Sequence, residues 1–143
     1  MPVIGINIKS VHAKKNEEIT GAVKVNSNTN VRDIKEQELP ALKQKGLTVG
    51  FDFKTDYIGD KNKSVAEIVI SGDAFFIDEQ IEKVIKEWKK DKKLPEEINL
   101  QIINTILDKC SKKAILLSDD LQLPSPIVLP HAKKEDKNSK YIG

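Results

Sequence analysis

The clearest alternation of apolar and polar residues lies in the middle third of the chain. Apolar residues occupy alternate positions from 47 to 53 and then position 57: Leu47, Val49, Phe51, Phe53 and Tyr57. After a polar turn at 59–63, a second such segment follows over 65–76, with its apolar face made by Ala66, Ile68, Ile70, Ala74 and Phe76. A period of two is typical of half-buried strands. The pattern therefore predicts an antiparallel hairpin with a five-residue loop.

The N-terminal residues also alternate, but their phase changes partway along. Ile4, Ile6 and Ile8 share one parity, whereas Val11 and Ala13 share the other. This change predicts a first strand with a bulge or an end near Ser10. A short second strand is predicted over 22–25. The mostly polar stretch that follows, 27–46, is interpreted as a long connection, and loops of that length are usually functional or partly helical.

The period changes from two to that of a helix at Asp78. Asp78 is a plausible N-cap for a first helix over 78–93. Pro95 is predicted at the first position of a second helix, with acidic residues in its first turn. The apolar residues of this second helix, up to Cys110, cover about half of its circumference, wider than the ~100° stripe of a helix packed on one surface. We therefore expect it to contact the sheet and one further partner.

The stretch from Ile115 to Pro130 combines three prolines with many apolar residues and follows the helical pattern. Leu-Pro, Ser-Pro and Leu-Pro occur within eight residues. A residue before proline is pushed out of the α region, so an extended path is predicted. The segment carries more apolar side chains than a solvent-exposed loop usually does. It is expected to lie against an apolar surface, either of its own domain or of a partner.

Composition and charge limit the class of protein. The 143 residues, 32% of them charged, indicate one globular domain, assigned to residues 1–131, and a flexible charged tail, 132–143. The net charge is only +2, and the densest lysine run, 89–93, lies at a predicted helix end, so no nucleic-acid partner is expected. No signal peptide or membrane-spanning run is evident, which predicts a cytoplasmic protein.

Residues that could carry catalysis are few and scattered. The chain has no glycine-rich phosphate loop, no nucleophile elbow and no metal-binding His or Cys motif. His12 and His131 are far apart in sequence, and Cys110 falls on the apolar face of the second helix, where an inert thiol is expected. Adjacent Asp119 and Asp120 point apart. We predict no enzymatic activity, no cofactor and no metal; a deep polar pocket holding His12 or Asp119 would favour an enzyme or a small-ligand binder instead.

The order of these elements resembles the SecB protein-export chaperone family, and especially its short prokaryotic SecB-like members. The first strand, 6–14, looks like the family's first strand, and the hairpin 47–57 with 67–75 looks like its third and fourth strands. The helix 100–110 and the closing segment 123–130 resemble the long helix and the proline-rich end. The match covers most of residues 3–130 as an order of elements. The Asn- and Phe-rich end of bacterial members is missing, the acidic patch for the translocation motor has no placed equivalent, and the helix over 78–93 is enlarged.

The resemblance implies an α+β protomer with a four-stranded antiparallel sheet and C-terminal helices on one side. It implies a homo-oligomer, a dimer or a tetramer, that holds unfolded polypeptides or preproteins in apolar grooves without ATP. The expected oligomer contacts are Ile98, Ile102, Ile103, Ile106 and Leu107. The candidate peptide-binding residues are Leu39, Leu42, Leu123, Ile127 and Leu129, although each could instead cover the protomer's own core. A dedicated interaction module or adaptor with one partner is the alternative function.

Overall fold

The computed structural model describes residues 3–39, 44–132 and 134, which form a sheet followed by two helices. The strands are β1 (Val3–Lys15), β2 (Lys24–Leu39), β3 (Gln44–Ile58) and β4 (Ser64–Phe76). They pair antiparallel in the order β1-β4-β3-β2. The helices α1 (Ile81–Asp91) and α2 (Glu96–Asp120) join the same apolar core as the inner face of the sheet. The predicted α+β class with a four-stranded antiparallel sheet is confirmed.

The central hairpin, β3 and β4, supplies most of the core. The predicted alternation is confirmed, because every apolar residue assigned to the inner faces of the two strands is buried. The strands are joined through residues 59–63, which include a single 3-10 turn at Asp60–Asn62. Burial of a large apolar side chain contributes roughly 1.5–3 kcal/mol, so the hairpin's aromatic residues are the largest single contributors to core stability. They are Phe51, Phe53, Tyr57 and Phe76.

Both edge strands contain an irregularity opposite a glycine of a central strand. The register of β1 on β4 shifts between Ile8 and Ser10, which confirms the predicted bulge. A Cβ atom on Gly72, the partner of Ile8, would collide with the β1 backbone. The register of β2 on β3 shifts beside Gly50, where a Cβ atom would overlap the side chain of Asp33. Glycine is therefore required at position 72 for close approach of the two backbones, whereas at Gly50 the contact is with the end of the exposed Asp33 side chain, which can move aside.

The predicted polar connection after residue 26 is wrong, because β2 continues as a strand to Leu39. Its inner positions include the small hydroxyl residues Ser27 and Thr29, which weaken the apolar alternation. The irregularity between Val31 and Asp33 then changes the parity, so that Val31 and Ile34 both pack against the core. A strand with polar inner residues and a bulge does not show a period of two in its sequence.

The helix boundaries differ slightly from the prediction. Gln80, and not Asp78, is the N-cap of α1; the Asp78 carboxylate accepts a hydrogen bond from the Gln80 amide at 2.8 Å. Pro95 is the N-cap of α2 and not its first helical residue, and Glu96 and Glu97 form the acidic first turn. At its other end α2 runs to Asp120, so the first six residues of the stretch expected to be extended are helical.

Candidate polypeptide-binding surface

The segment that follows α2 begins with a well-defined helix end. Gln122 has a left-handed backbone (φ 58°), and its amide donates to the Asp119 carbonyl at 3.1 Å. The Leu123 amide donates to the Ser118 carbonyl at 2.8 Å. These two bonds form a Schellman motif, which ends a helix and turns the chain back towards it. As a result, Leu123 is only 7% exposed and belongs to the core of the protomer.

Tyr57 fixes the next residue of this segment. Its side chain is fully buried at the end of β3, and its hydroxyl donates to the Pro124 carbonyl at 2.6 Å. Burial raises the pKa of the Tyr57 hydroxyl, an effect that its hydrogen-bonding neighbour Ser118 partly offsets. The phenol therefore stays protonated at neutral pH and remains a hydrogen-bond donor. The start of the proline-rich segment is thus held against the folded core, although Pro124 itself is exposed.

After Pro124 the apolar side chains face solvent. Ile127 is 41% exposed, Val128 94% and Leu129 42%. The Ser125 hydroxyl accepts a hydrogen bond from the Ile127 amide at 3.2 Å, which fixes the backbone locally. We call residues 125–130 the exposed arm. It contains two of the predicted peptide-binding residues, Ile127 and Leu129. It also contains Val128, which the prediction missed, although its position in an apolar run between two prolines indicated that it could be exposed.

The other two predicted peptide-binding residues lie elsewhere. Leu39 is the last residue of β2 and pairs with Gln44, although its side chain is not described; Leu42 lies outside the described residues. Gln44 starts β3, whereas Tyr57, which anchors the exposed arm, lies thirteen residues further along that strand. At ~3.4 Å per residue this places Leu39 about 40 Å along β3 from the residue that anchors the exposed arm. A single short peptide cannot contact both points.

The predicted oligomer contacts on α2 divide into buried and partly exposed residues. Ile102 and Ile106 are completely buried, in a row that continues every fourth residue through Cys110 and Ala114. They belong to the core of the protomer and have no surface to offer a second copy. The error arose because the inward row and its flanks form one continuous apolar arc in the sequence.

The flanks of that buried row remain partly exposed. Ile103 and Leu107 are partly buried, and Leu100 is 51% exposed. With 3.6 residues per turn, these three residues fall within an arc of about 60° on one side of α2. We call them the α2 flank. Ile98 is partly buried on the other side of the buried row.

The other residues considered as candidates for catalysis or ligand binding make contacts within the fold. Burial raises the pKa of the Cys110 thiol to about 11, so it is protonated and unreactive at neutral pH. The Lys92 ammonium lies 5.6 Å from the centre of the Trp88 ring, a cation–π contact at the end of α1. His12 lies 3.7 Å from a carboxylate oxygen of Glu67 on the sheet.

Two sizeable cavities are lined by residues that the structure describes. One of about 850 Å³ lies between Lys45, the start of α1 and the start of α2, and one of about 440 Å³ lies on the sheet between Lys9 and Lys35. Neither is lined by His12 or Asp119. Among the residues described, three or more His, Cys, Asp or Glu side chains nowhere come together in a way that could hold a metal ion. Over the same residues, neither helix has the length and apolar character needed to cross a membrane.

The sheet face turned away from the helices carries paired charges. Lys9 lies 2.6 Å from Asp73, Arg32 3.1 Å from Asp52, and Lys54 3.7 Å from Glu67. Arg32, the single arginine of the chain, also donates to the main-chain carbonyls of two central strands. Cations therefore lie beside these carboxylates, and this face is not an acidic surface.

Comparison with known proteins identifies a solved structure of similar fold. No protein-family model matches the sequence, and no curated protein matches it. Among solved structures, the chain is similar to the SecB-like chaperone Rv1957 of Mycobacterium tuberculosis, solved in complex with a ChAD peptide from the Rv1956 HigA1 antitoxin. The TM-score is 0.61 at 11% sequence identity, over 94% of this chain and 91% of that one. The predicted resemblance is thus confirmed at the level of structure: the chain has a SecB-like fold.

Proposed function

We propose that this protein is a SecB-like chaperone that binds unfolded polypeptides, exported ones among them, without ATP and without enzymatic activity. The observation that carries the proposal is the exposed arm. Three consecutive large apolar residues are exposed to solvent, while Pro124, three residues before the first of them, is held to the core through Tyr57. Contiguous exposed apolar surface is typical of interaction sites.

The anchoring of the arm favours a binding role for it over the alternative that it is an exposed chain end without a function. A surface that is held in place before binding loses less conformational entropy when a partner associates. The contact would come from buried apolar area, at roughly 25 cal/mol per Å² before ordering costs. Such binding persists at high salt, whereas contacts made by surface lysines weaken through screening.

We further propose that the protein works in the cytoplasm as a homo-oligomer, either a dimer or a tetramer. Its subunits would contact each other through the α2 flank and Ile98. The flank alone is small, and a stable interface needs about 1,000 Å² or more of buried surface. An interface between two copies would therefore have to bury polar residues beside the flank as well. Ile103→Lys should dissociate the assembly before it unfolds the protomer, because an unpaired charge at a buried interface costs several kcal/mol.

A dedicated adaptor or a chaperone reserved for one partner is the second candidate. It is favoured by the structural neighbour, which was solved with a peptide from one antitoxin. The two candidates differ in promiscuity. A general chaperone prevents aggregation of unrelated unfolded proteins, whereas a dedicated module protects only its own partner.

The test is suppression of aggregation of chemically unfolded proteins, followed by light scattering without nucleotide. The variant replaces Ile127, Val128 and Leu129 by serine together. The matched control is Leu116→Ser, because Leu116 is also an exposed apolar residue (63%) but lies on α2. We expect the triple variant to lose most of the activity and the control to keep it, with unchanged circular dichroism in both. Equal activity of the triple variant and the parent would remove the arm from the site. Failure of the parent to protect any unrelated protein would favour the dedicated adaptor.

A parallel variant, Leu39→Ser with Leu42→Ser, tests the distant half of the original prediction. If only the arm binds polypeptide, this variant keeps the parent's activity. If both regions bind, it loses activity too, and clients long enough to span about 40 Å should be protected better than short ones.

A further inference from the structure

The cavity of about 850 Å³ combines apolar and acidic side chains. Ile77 and Ile81, at the start of α1, contribute apolar surface to its lining. Four carboxylates line it as well: Asp78, Glu79, Glu82 and Glu97. Sites for small ligands have volumes of about 300–1,000 Å³, so the cavity has room for one or two large side chains. Its lining suits a segment that is both apolar and basic.

The negative charge of this cavity is only partly compensated. Lys45 is the one cation among the residues that line it, and its ammonium lies 3.9 Å from Glu82 but 3.4 Å from Glu36 of β2. Within the described part of the chain, Glu79 and Glu97 make no ion pair. Four carboxylates against one shared ammonium leave an excess of negative charge, which an added cation would offset.

The last stretch of the sequence has the complementary pattern. Its two large apolar residues are adjacent, Tyr141 and Ile142. Within residues 133–140, four lysines accompany two carboxylates: Lys133, Lys134, Lys137, Lys140, Glu135 and Asp136. Residues 133 and 135–143 lie outside the described part of the chain. The sequence itself therefore supplies a basic segment with an apolar pair that matches the cavity in charge and in apolar character.

This stretch is long enough to reach the cavity of its own protomer. Pro124 is held at the far end of α2, where Ser118 neighbours the Tyr57 hydroxyl. At 1.5 Å per residue, Ser118 lies about 32 Å along α2 from Glu97 at the cavity. Seventeen residues lead from Pro124 to Tyr141, and at ~3.3 Å per residue they span up to about 56 Å.

We propose that Tyr141 and Ile142 occupy this cavity in the same protomer, with the lysines before them beside its carboxylates. The contact needs little intrinsic affinity, because the tether keeps the local concentration of the segment near the millimolar range. The docking does not depend on the proposed function. Its consequence does: a polypeptide held by the chaperone would compete with the segment for the cavity.

The experiment compares amide chemical shifts of the full-length protein and the double variant Tyr141→Ser with Ile142→Ser. The matched control is Asn138→Ala with Ser139→Ala, which changes two residues of the same stretch and keeps the apolar pair. We expect shift changes at the amides of residues 77–82 in the double variant alone, at every protein concentration. Unchanged amides at 77–82 would overturn the proposal. Changes that grow with protein concentration would overturn it as well, since they would assign the cavity to a second copy.

A peptide supplied in trans tests the part played by charge. A labelled peptide with the sequence of residues 132–143 is titrated at low salt and followed by fluorescence anisotropy. It should bind the double variant, whose cavity is empty, several-fold more tightly than the parent. Adding Glu79→Gln, Glu82→Gln and Glu97→Gln to the double variant should weaken binding at least about fivefold, and added salt should weaken it too.

The matched charge control adds Asp108→Asn, Asp119→Asn and Asp120→Asn instead. These residues are exposed on α2 and do not line the cavity, although their replacement removes the same three negative charges. We expect this control to bind the peptide as the double variant does. Equal weakening in the two sets, or equal affinity of the parent and the double variant, would contradict docking in the cavity.

The outcome can be separated from that of the proposed function. If unfolded proteins are protected from aggregation but the amides at 77–82 do not respond, only the docking fails. If the amides respond but the parent protects no unfolded protein, the docking stands and the chaperone function is contradicted.

Discussion

The closing segment divides into two halves with opposite surroundings. From Ser118 to Pro124 the chain is held by main-chain bonds at the helix end, by burial of Leu123 and by the Tyr57 hydroxyl. From Ser125 to Pro130 its apolar side chains lie mostly in solvent. The difference shows that one short segment can contribute to the core and also present exposed apolar side chains, with a boundary set by contacts from distant parts of the chain.

The largest difference between the halves is expected in stability. Leu123→Ala removes a buried side chain and leaves a cavity, so the free energy of unfolding should fall by roughly 2–4 kcal/mol. The matched change in the other half, Ile127→Ala, should alter it by less than about 0.5 kcal/mol, because the side chain is exposed. Urea unfolding monitored by Trp88 fluorescence measures both. Similar losses in the two variants would mean that the halves are not distinct.

A smaller loss of stability is expected when the hydrogen bond between Tyr57 and Pro124 is removed. Tyr57→Phe keeps the buried ring and removes the hydroxyl, so the Pro124 carbonyl loses its donor. The free energy of unfolding should fall by about 1 kcal/mol. Hydrogen exchange should accelerate at the Leu123 amide more than at amides in the middle of α2. An unchanged exchange rate at Leu123 would show that Tyr57 does not hold this segment.

The smallest effect concerns alkaline pH. Because folding raises the pKa of Tyr57, its neutral form is favoured in the folded state. Its contribution to stability is complete below the pKa of the unfolded tyrosine, near 10, and is lost as pH rises through the higher folded value. The parent should therefore lose more stability than Tyr57→Phe between about pH 9 and pH 11. Cys110, whose pKa is also raised, titrates in both proteins and cancels in the comparison. Parallel pH profiles would contradict a buried, neutral phenol.

Much of the fold could be predicted from the sequence because periodicity is a local signal. The central hairpin and its loop follow from alternation between residues 47 and 76, and the bulge near Ser10 follows from the phase change in β1. Only the start of β2 could be predicted, as part of the short strand over 22–25, since its hydroxyl-bearing inner face and its bulge remove the period of two from the rest. Antiparallel pairing with β3 stabilises it as a strand despite its polar sequence.

The candidate site was less predictable than the fold. Leu123 and Ile127 are chemically similar and lie four residues apart, yet one is buried and the other exposed. That outcome depends on Tyr57, which is 67 residues away from its partner Pro124 in sequence. Likewise, Ile102 and Ile103 are neighbours on one apolar arc, and only their position over the sheet separates core from flank. Contacts of this kind are set by tertiary packing and leave no local pattern.

The central claim, that the exposed arm contacts unfolded polypeptide, is tested most directly by site-specific photo-cross-linking. A photoreactive phenylalanine analogue replaces Val128 in one protein and Leu116 in another, so that both probes start from exposed positions. Each protein is irradiated with an unfolded client and with the same client in its native state. We expect a cross-link from position 128 to the unfolded client alone, and little from position 116. No cross-link from position 128, or equal cross-links from both positions, would contradict it.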